Sequence, residues 1–349
     1  MPDPFSREAM SITSILLIAG GAVGLAAFAY VNGAESLFSA LSRITWWQFV
    51  LVCGVYGAGV VADTLGWRCT LGHDRSPRFL ALLGAKCAGE AINVVTALGS
   101  VGGEATKAWL LRRDMPYERT VPSLVAAKTS LVVAQCLLAF VGFLIAWITG
   151  VGGSGVLLVL GTVLVVEVVG VGGFLAVQLS GVLGWVGRVL ARLGTHRRAQ
   201  AEWLDDALRR FYFLEWRSFL LSIGFHFVGW LIGVVEALLI LEAFGLPTSP
   251  SATTVIEAVG SGVRFATFFI PASLGALEGT NAGAFAALGW TASAGLAFSV
   301  VRRARQIVWI GIGVGILLAM NGSVLFPIRR PFRDVAPTVL RDLRRKRQA

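Results

Sequence analysis

Fifteen ionisable side chains stand inside stretches that are otherwise apolar. The acids are Asp63, Glu90, Glu104, Glu167, Glu236, Glu242, Glu257 and Glu278, and the bases are Lys86, Lys107, Lys128, Arg264, Arg302, Arg303 and Arg305. In a bilayer each costs about 2.5 to 3.5 kcal/mol at a helix centre, so such groups must pair or face water. The near-equal numbers of the two signs favour pairing. Lys86 and Glu90 share a helix face at i, i+4, as do Glu104 and Lys107 at i, i+3. Glu104 with Lys128 and Glu278 with Arg302 are further expected partners, because each base follows its acid by 24 residues, on the next apolar run. Two readings stand side by side. The pairs hold broken segments in place, or they line a polar pathway for a charged headgroup or for protons. Glu90, Glu104, Arg264 and Glu278 favour the pathway, whereas Glu167 and Glu242 suit loop or interface positions.

Other chemistries lose their usual anchors. The chain has no H-E-x-x-H, no G-x-x-x-x-G-K-[ST] and no G-x-S-x-G. His73, His196 and His226 are scattered, and His226, with Trp230 at i+4, suits a packed core histidine. Cys53, Cys69, Cys87 and Cys136 show no C-x-x-C spacing and are expected to pack, with neither disulfide nor metal. No cofactor is implied. The tail RDLRRKRQA and the amphipathic stretch from Trp203 to Trp216 suit anionic lipid headgroups better than nucleic acid.

The elements that must hold these residues follow from composition. Of 349 residues 56% are hydrophobic and 14% charged, and the mean hydropathy is +0.74, against about 25% charge in ordinary soluble proteins. A soluble enzyme is excluded on that balance, and lipid is the natural solvent. Apolar runs long enough to span about 30 Å of hydrocarbon occur at 12–31, 46–67, 122–149, 155–179, 219–244 and 292–320. The first is longer than a signal-peptide core and follows a leader without basic excess, so a retained span is expected. Two further stretches, 79–111 and 253–289, are broken midway by polar and helix-weakening residues. Each reads as a re-entrant helical hairpin, since irregular backbone survives at that depth only where protein or water satisfies it; two short spans per stretch is the alternative. Pro271 and Gly275 in FFIPASLGALEG break the second, and Gly99, Gly102 and Gly103 suit a break in the first. The freed half-helix N-termini would suit an anion such as a lipid phosphate, with plain turn chemistry as the rival reading.

Stretches 68–78, 112–119, 180–217 and 328–349 carry 3, 3, 7 and 8 basic residues, whereas the intervening loops together carry only Arg43. The basic set is expected to be cytoplasmic, with both termini inside. An internal repeat fits that topology. Glu104 in GGEATKAW and Glu278 in ALEGTNAG share E-x-T-x-A at an offset of 174 residues, Lys128 and Arg302 keep the same offset, and Asp63 with Glu236 and Glu90 with Glu257 nearly do. The halves, 12–149 and 155–320, would be inverted, the arrangement in which secondary transporters place their sites.

The runs EAINVVTALGSVGGEATKAWLLRR, VRFATFFIPASLGALEG and SVVRRARQIVW resemble the lysylphosphatidylglycerol synthase transmembrane-region family, also called the flippase-like or UPF0104 family. The second half is most similar to its hopanoid-biosynthesis-associated HpnL branch. The resemblance runs from about Ile12 to Met320, and its matching positions are Glu90, Gly102, Gly103, Glu104 and Lys107, then Arg264, Pro271, Gly275, Glu278 and Arg302. It implies a lipid-handling membrane protein. Aminoacyl transfer belongs to a separate soluble domain in the two-part members, and only a basic tail follows Met320 here, so synthase activity is not implied.

The expectation is therefore an all-α polytopic membrane protein of the bacterial inner membrane, with about six full spans plus two broken hairpins in an inverted repeat over 1–320 and a basic cytoplasmic tail at 321–349. Its function would be non-enzymatic lipid translocation, possible in hopanoid metabolism. Candidate transport residues are Glu90, Glu104, Lys107, Lys128, Glu257, Arg264, Pro271, Gly275, Glu278 and Arg302, and the partners are membrane lipids and lipid-biosynthesis proteins, without nucleic acid. A scaffold for a lipid-synthesis complex, docking through the tail and the 180–217 loop, is the alternative. An intramembrane transferase using Glu104 or Glu278 as base is weaker.

Overall fold

A computed structural model describes residues 42–72, 77–95, 101–180, 198–268 and 270–325. The expected first span, Gly99 and the expected tail beyond residue 325 lie outside them, and residues 321–325 continue the last helix. Ten α-helices are described: α1 (Trp46–Cys69), α2 (Phe79–Val95), α3 (Val101–Leu111), α4 (Tyr117–Thr149), α5 (Gly153–Ser180), α6 (Arg198–Leu214), α7 (Trp216–Ala243), α8 (Pro250–Ala266), α9 (Ala276–Ala287) and α10 (Ala292–Leu325). Helices α1, α4, α5, α7 and α10 are long and apolar enough to cross a membrane. Their outward faces carry Trp147, Leu158, Val169, Leu221 and Ile307, all exposed, as lipid-facing surface requires. On α5 the buried positions are Val156, Leu160, Glu167, Val171 and Gln178, a seam with alternating steps of four and seven that leaves the remaining face to lipid.

The two broken stretches fold as paired half-length helices, α2 with α3 and α8 with α9. Ser249 starts α8 by accepting the Ala252 N–H at 3.1 Å, with Pro250 in the first turn where its missing donor costs nothing. After Ala266 the chain leaves the helix. A short 3₁₀ turn at Pro271–Ser273 follows, with Ala272 at φ 51°, Ser273 at φ 50° and Gly275 at φ 81°. Left-handed backbone at two non-glycine residues is strained, and it is concentrated at the tip of the hairpin, which reaches α2 of the other hairpin.

Packing repeats across the two halves. Helix α1 lies along α7, α2 packs on α10, and α8 packs on α4. Under the correspondence of α1, α2, α3 and α4 with α7, α8, α9 and α10, the last two contacts are the same contact made twice. Each is made at a glycine: a Cβ on Gly142 of α4 would collide with Ala258 of α8, and one on Gly313 of α10 would collide with Cys87 and Ala91 of α2. Close backbone approach at small residues is how membrane helices gain packing energy without a hydrophobic driving force. Three apolar cores result among the described residues. One gathers Val52, Ile240, Phe244, Phe285 and Phe298 at one end of the bundle, a second gathers Trp67, Leu82, Leu111, Met115 and Leu124 at the end carrying the basic loops, and a third joins Ala146, Val156, Leu160, Val255, Ala258 and Val259 of α4, α5 and α8.

Candidate functional site

Between the first two of these cores the buried charges form two clusters. The first is built of lysines. Asp63, in the last two turns of α1, meets Lys86 of α2 at 3.4 Å; Lys86 meets Glu90 at 3.2 Å; Glu90 meets Lys107 of α3 at 3.0 Å; and Lys107 meets Glu104 at 2.9 Å. The helical spacings 86/90 and 104/107 therefore pair as their periodicity requires. His226 of α7, buried, sits with Nδ1 2.8 Å from Asp63 Oδ1. It is a core histidine, as expected, yet it also borders a small, partly open cleft whose walls include the whole ion chain, Trp67, Leu131 and Lys128. Lys128 reaches this cleft from α4, within electrostatic range of Glu90 and Glu104. Among the described residues it has neither a hydrogen-bond nor an ion-pair partner, so the expected Glu104–Lys128 pair is not made.

The second cluster is built of arginines. Glu236 of α7 meets Arg305 and, at 3.5 Å, Arg302, both on α10. Arg302 also pairs with Glu257 of α8, which binds Arg264 at 3.2 Å. Glu278 of α9 accepts from Arg303 Nε at 2.7 Å. Sequence spacing had selected Arg302 for Glu278. Successive helix residues point about 100° apart, and the rotation of α10 turns Arg303 toward α9 and Arg302 toward α7 and α8. Aromatic faces cover the cations: Arg264 lies 5.3 Å from the Trp230 ring, Arg302 4.5 Å from Phe298 and Arg305 3.9 Å from Tyr56.

Tyr56, two turns from Asp63 along α1, joins the clusters. It lies within electrostatic range of Lys86 and Glu90 on one side and of Arg305 and Glu236 on the other. A ladder of charge thus runs along the α1–α7 pair through bilayer depth. Its ends differ in access. The Glu90 side chain is 39% exposed, whereas that of its counterpart Glu257 is 3% exposed. The cause is visible in the helices: α9 lies along α10, but the corresponding α3 barely touches α4, and the resulting gap is the cleft.

Pro271 and Gly275 fall at the break between α8 and α9. The half-helix N-termini, expected as anion sites, are closed by the protein itself. Glu278 Oε2 accepts the Gly275 N–H at 2.7 Å, and Asn93 Oδ1 accepts the Gly103 N–H at 2.7 Å. Glu242 is exposed at the end of α7. Glu167 is buried, accepting from Gln135 Nε2 at 2.8 Å, with its other oxygen unpartnered. Asp63, Lys86, Glu236, Arg303 and Arg305 complete the clusters although the motifs did not select them; the repeat offset of Asp63 and Glu236 was the available signal, and for Tyr56 and Asn93 there was none. The four cysteines are free, and no group of three or more potential metal ligands occurs among the described residues.

Apolar spans, two broken stretches folded as paired half-length helices and paired charges held at depth define a polytopic all-α membrane protein. The family model of the lysylphosphatidylglycerol synthase transmembrane region matches residues 12–315, and the chain belongs to that family, which ties it to membrane lipids. Neither a curated protein nor a solved structure matches the chain.

Proposed function

We propose that the protein is a lipid translocator without enzymatic activity, acting in the bacterial inner membrane with both termini in the cytoplasm. A headgroup enters the lysine-lined cleft while the acyl or polycyclic tail stays in lipid. The observation that carries this reading is the unequal state of two corresponding gaps: α9 is closed on α10 through Glu278–Arg303, while α3 and α4 stand apart and leave Glu104 and Lys128 unjoined. Exchange of those states, with Lys128 closing on Glu104 as Arg303 leaves Glu278, would move the open side from one face of the membrane to the other. The basic stretches 68–78 and 112–119 follow the cleft-lining Trp67 and Lys107 closely in the chain, and under the positive-inside rule the open side would be cytoplasmic. No nucleotide motif is present, so transport would run downhill or be coupled to ions. The likeness of the second half to the HpnL branch extends the proposal to hopanoid-type lipids.

The test is flip-flop of a fluorescent phospholipid in proteoliposomes, read by bleaching of the outer leaflet. Wild-type protein is expected to exceed protein-free vesicles, and K128Q and E278Q to lower the rate at least about tenfold, the effect of one lost charge-assisted contact. Folded wild-type protein that adds nothing to the protein-free rate overturns the assignment.

A further inference from the structure

We infer that the lysine-lined cleft is a receptor for a zwitterionic lipid headgroup, one that carries a phosphate and an ammonium. This rests on the translocator reading for its lipid source and on charge placement for its chemistry. The connected chain Asp63–Lys86–Glu90–Lys107–Glu104 holds three acids and two bases. Its acids outnumber its bases by one. Lys107 is 4% exposed and Lys86 10%, so both ammonium groups are consumed by their carboxylates; the accessible edge is acidic, with Glu90 39% and Glu104 25% exposed. Across the cleft Lys128 presents an ammonium that no described residue pairs.

The cleft is therefore polarised, acidic on α2–α3 and basic on α4. An uncharged headgroup would leave Lys128 unpaired at bilayer depth. A headgroup with an anion alone would satisfy Lys128 and set its remaining surface against carboxylates. One with a phosphate and an ammonium answers both walls, the phosphate on Lys128 and the ammonium on Glu90 and Glu104. Discrimination of this kind comes as much from repulsion of the wrong partner as from attraction of the right one. Because α3 and α4 are already apart, none of the four existing ion pairs must break for the ligand to bind.

The experiment is binding of short-chain phosphatidylethanolamine, short-chain phosphatidylglycerol and free O-phosphoethanolamine to the purified full chain in detergent, with flip-flop of the two lipids measured in parallel. Phosphatidylethanolamine is expected to bind about tenfold more tightly than phosphatidylglycerol, K128Q to lower its affinity about tenfold, K128R to restore most of it, and E104Q to erase the preference between the two lipids. Equal or tighter binding of phosphatidylglycerol by the wild type overturns the proposal, as does phosphatidylethanolamine affinity unchanged in folded K128Q. If K128Q does not fold, the K128R and E104Q pair decides: a preference that survives E104Q overturns it. Free O-phosphoethanolamine binding as tightly as the lipid upholds the zwitterion site and removes the lipid as its source. Selective binding without flip-flop upholds the site and removes the translocator reading.

Discussion

Glu278 holds Arg303 and the start of its own helix with one carboxylate: Oε1 accepts from Arg303 Nε at 2.7 Å and Oε2 from the Gly275 N–H at 2.7 Å. The two roles separate by substitution. Glu278→Gln can still cap α9 but leaves the Arg303 cation short of its partner, and breaking a buried pair in this way costs about 3 to 5 kcal/mol. Glu278→Ala loses the cap as well, about 1 kcal/mol more. Thermal unfolding in detergent is expected to rank wild type above Glu278→Gln above Glu278→Ala, and E278M/R303M above the sum of its single changes, because the double variant leaves no orphaned charge. Additive losses would show that the pair does not hold α9 to α10.

The doubled glycine contact gives a test of the repeat that is independent of charge. Gly142→Ala sets a methyl into Ala258, and Gly313→Ala sets one into Cys87 and Ala91. Each is expected to lower stability by about 1 to 3 kcal/mol, as overpacking does. G142A/A258G should recover most of the loss. Gly311→Ala, with open space around the added carbon, serves as the control and should be neutral or slightly stabilising in its helix. Unfolding midpoints of the four variants decide it.

Much of this organisation was legible in the chain because helices advertise their period. The run 46–67 became Trp46–Cys69 and 155–179 became Gly153–Ser180, since apolar length alone sets a span. Lys86–Glu90 and Glu104–Lys107 were legible because both partners sit on one helix. Contacts between helices were less so. Whether Arg302 or Arg303 meets Glu278 depends on the rotation of α10 about its axis, and whether Lys128 meets Glu104 depends on how far α3 stands from α4; neither quantity is written in local spacing. Likewise, glycine at a half-helix start announces a break but does not say that Asn93, ten residues earlier, closes the freed N–H.

Tyr56 supplies the aromatic face under Arg305 at 3.9 Å from its centroid. Tyr56→Phe keeps the ring and should leave stability nearly unchanged. Tyr56→Leu keeps apolar volume and removes the quadrupole, and a desolvated cation–π contact of this kind contributes about 2 kcal/mol. A difference between the two variants in unfolding midpoint checks this, and equal midpoints would assign Arg305 wholly to Glu236.

Tyr212 ties the helix α6 to the bundle through its phenol. Tyr212 donates to Gln178 Oε1 at 2.6 Å, with Thr129 Oγ1 at 3.1 Å, and Gln178 Nε2 donates to Thr129 at 3.2 Å. Tyr212 thereby fixes α6 against the residue that follows Lys128, next to the cleft. Burial is the main cause that pushes the Tyr212 phenol up to about 12, against a smaller opposing contribution from Thr129. The unfolded chain ionises first, near pH 10. The stability that depends on the neutral phenol is therefore fully present below about pH 10 and is lost as pH rises toward about 12. Tyr212→Phe cannot ionise. It should begin about 1 kcal/mol less stable for the missing hydrogen bonds and then show a shallower loss across that alkaline window than the wild type. Denaturation midpoints between pH 9 and 12 measure the difference, and parallel slopes would place the alkaline sensitivity in another group.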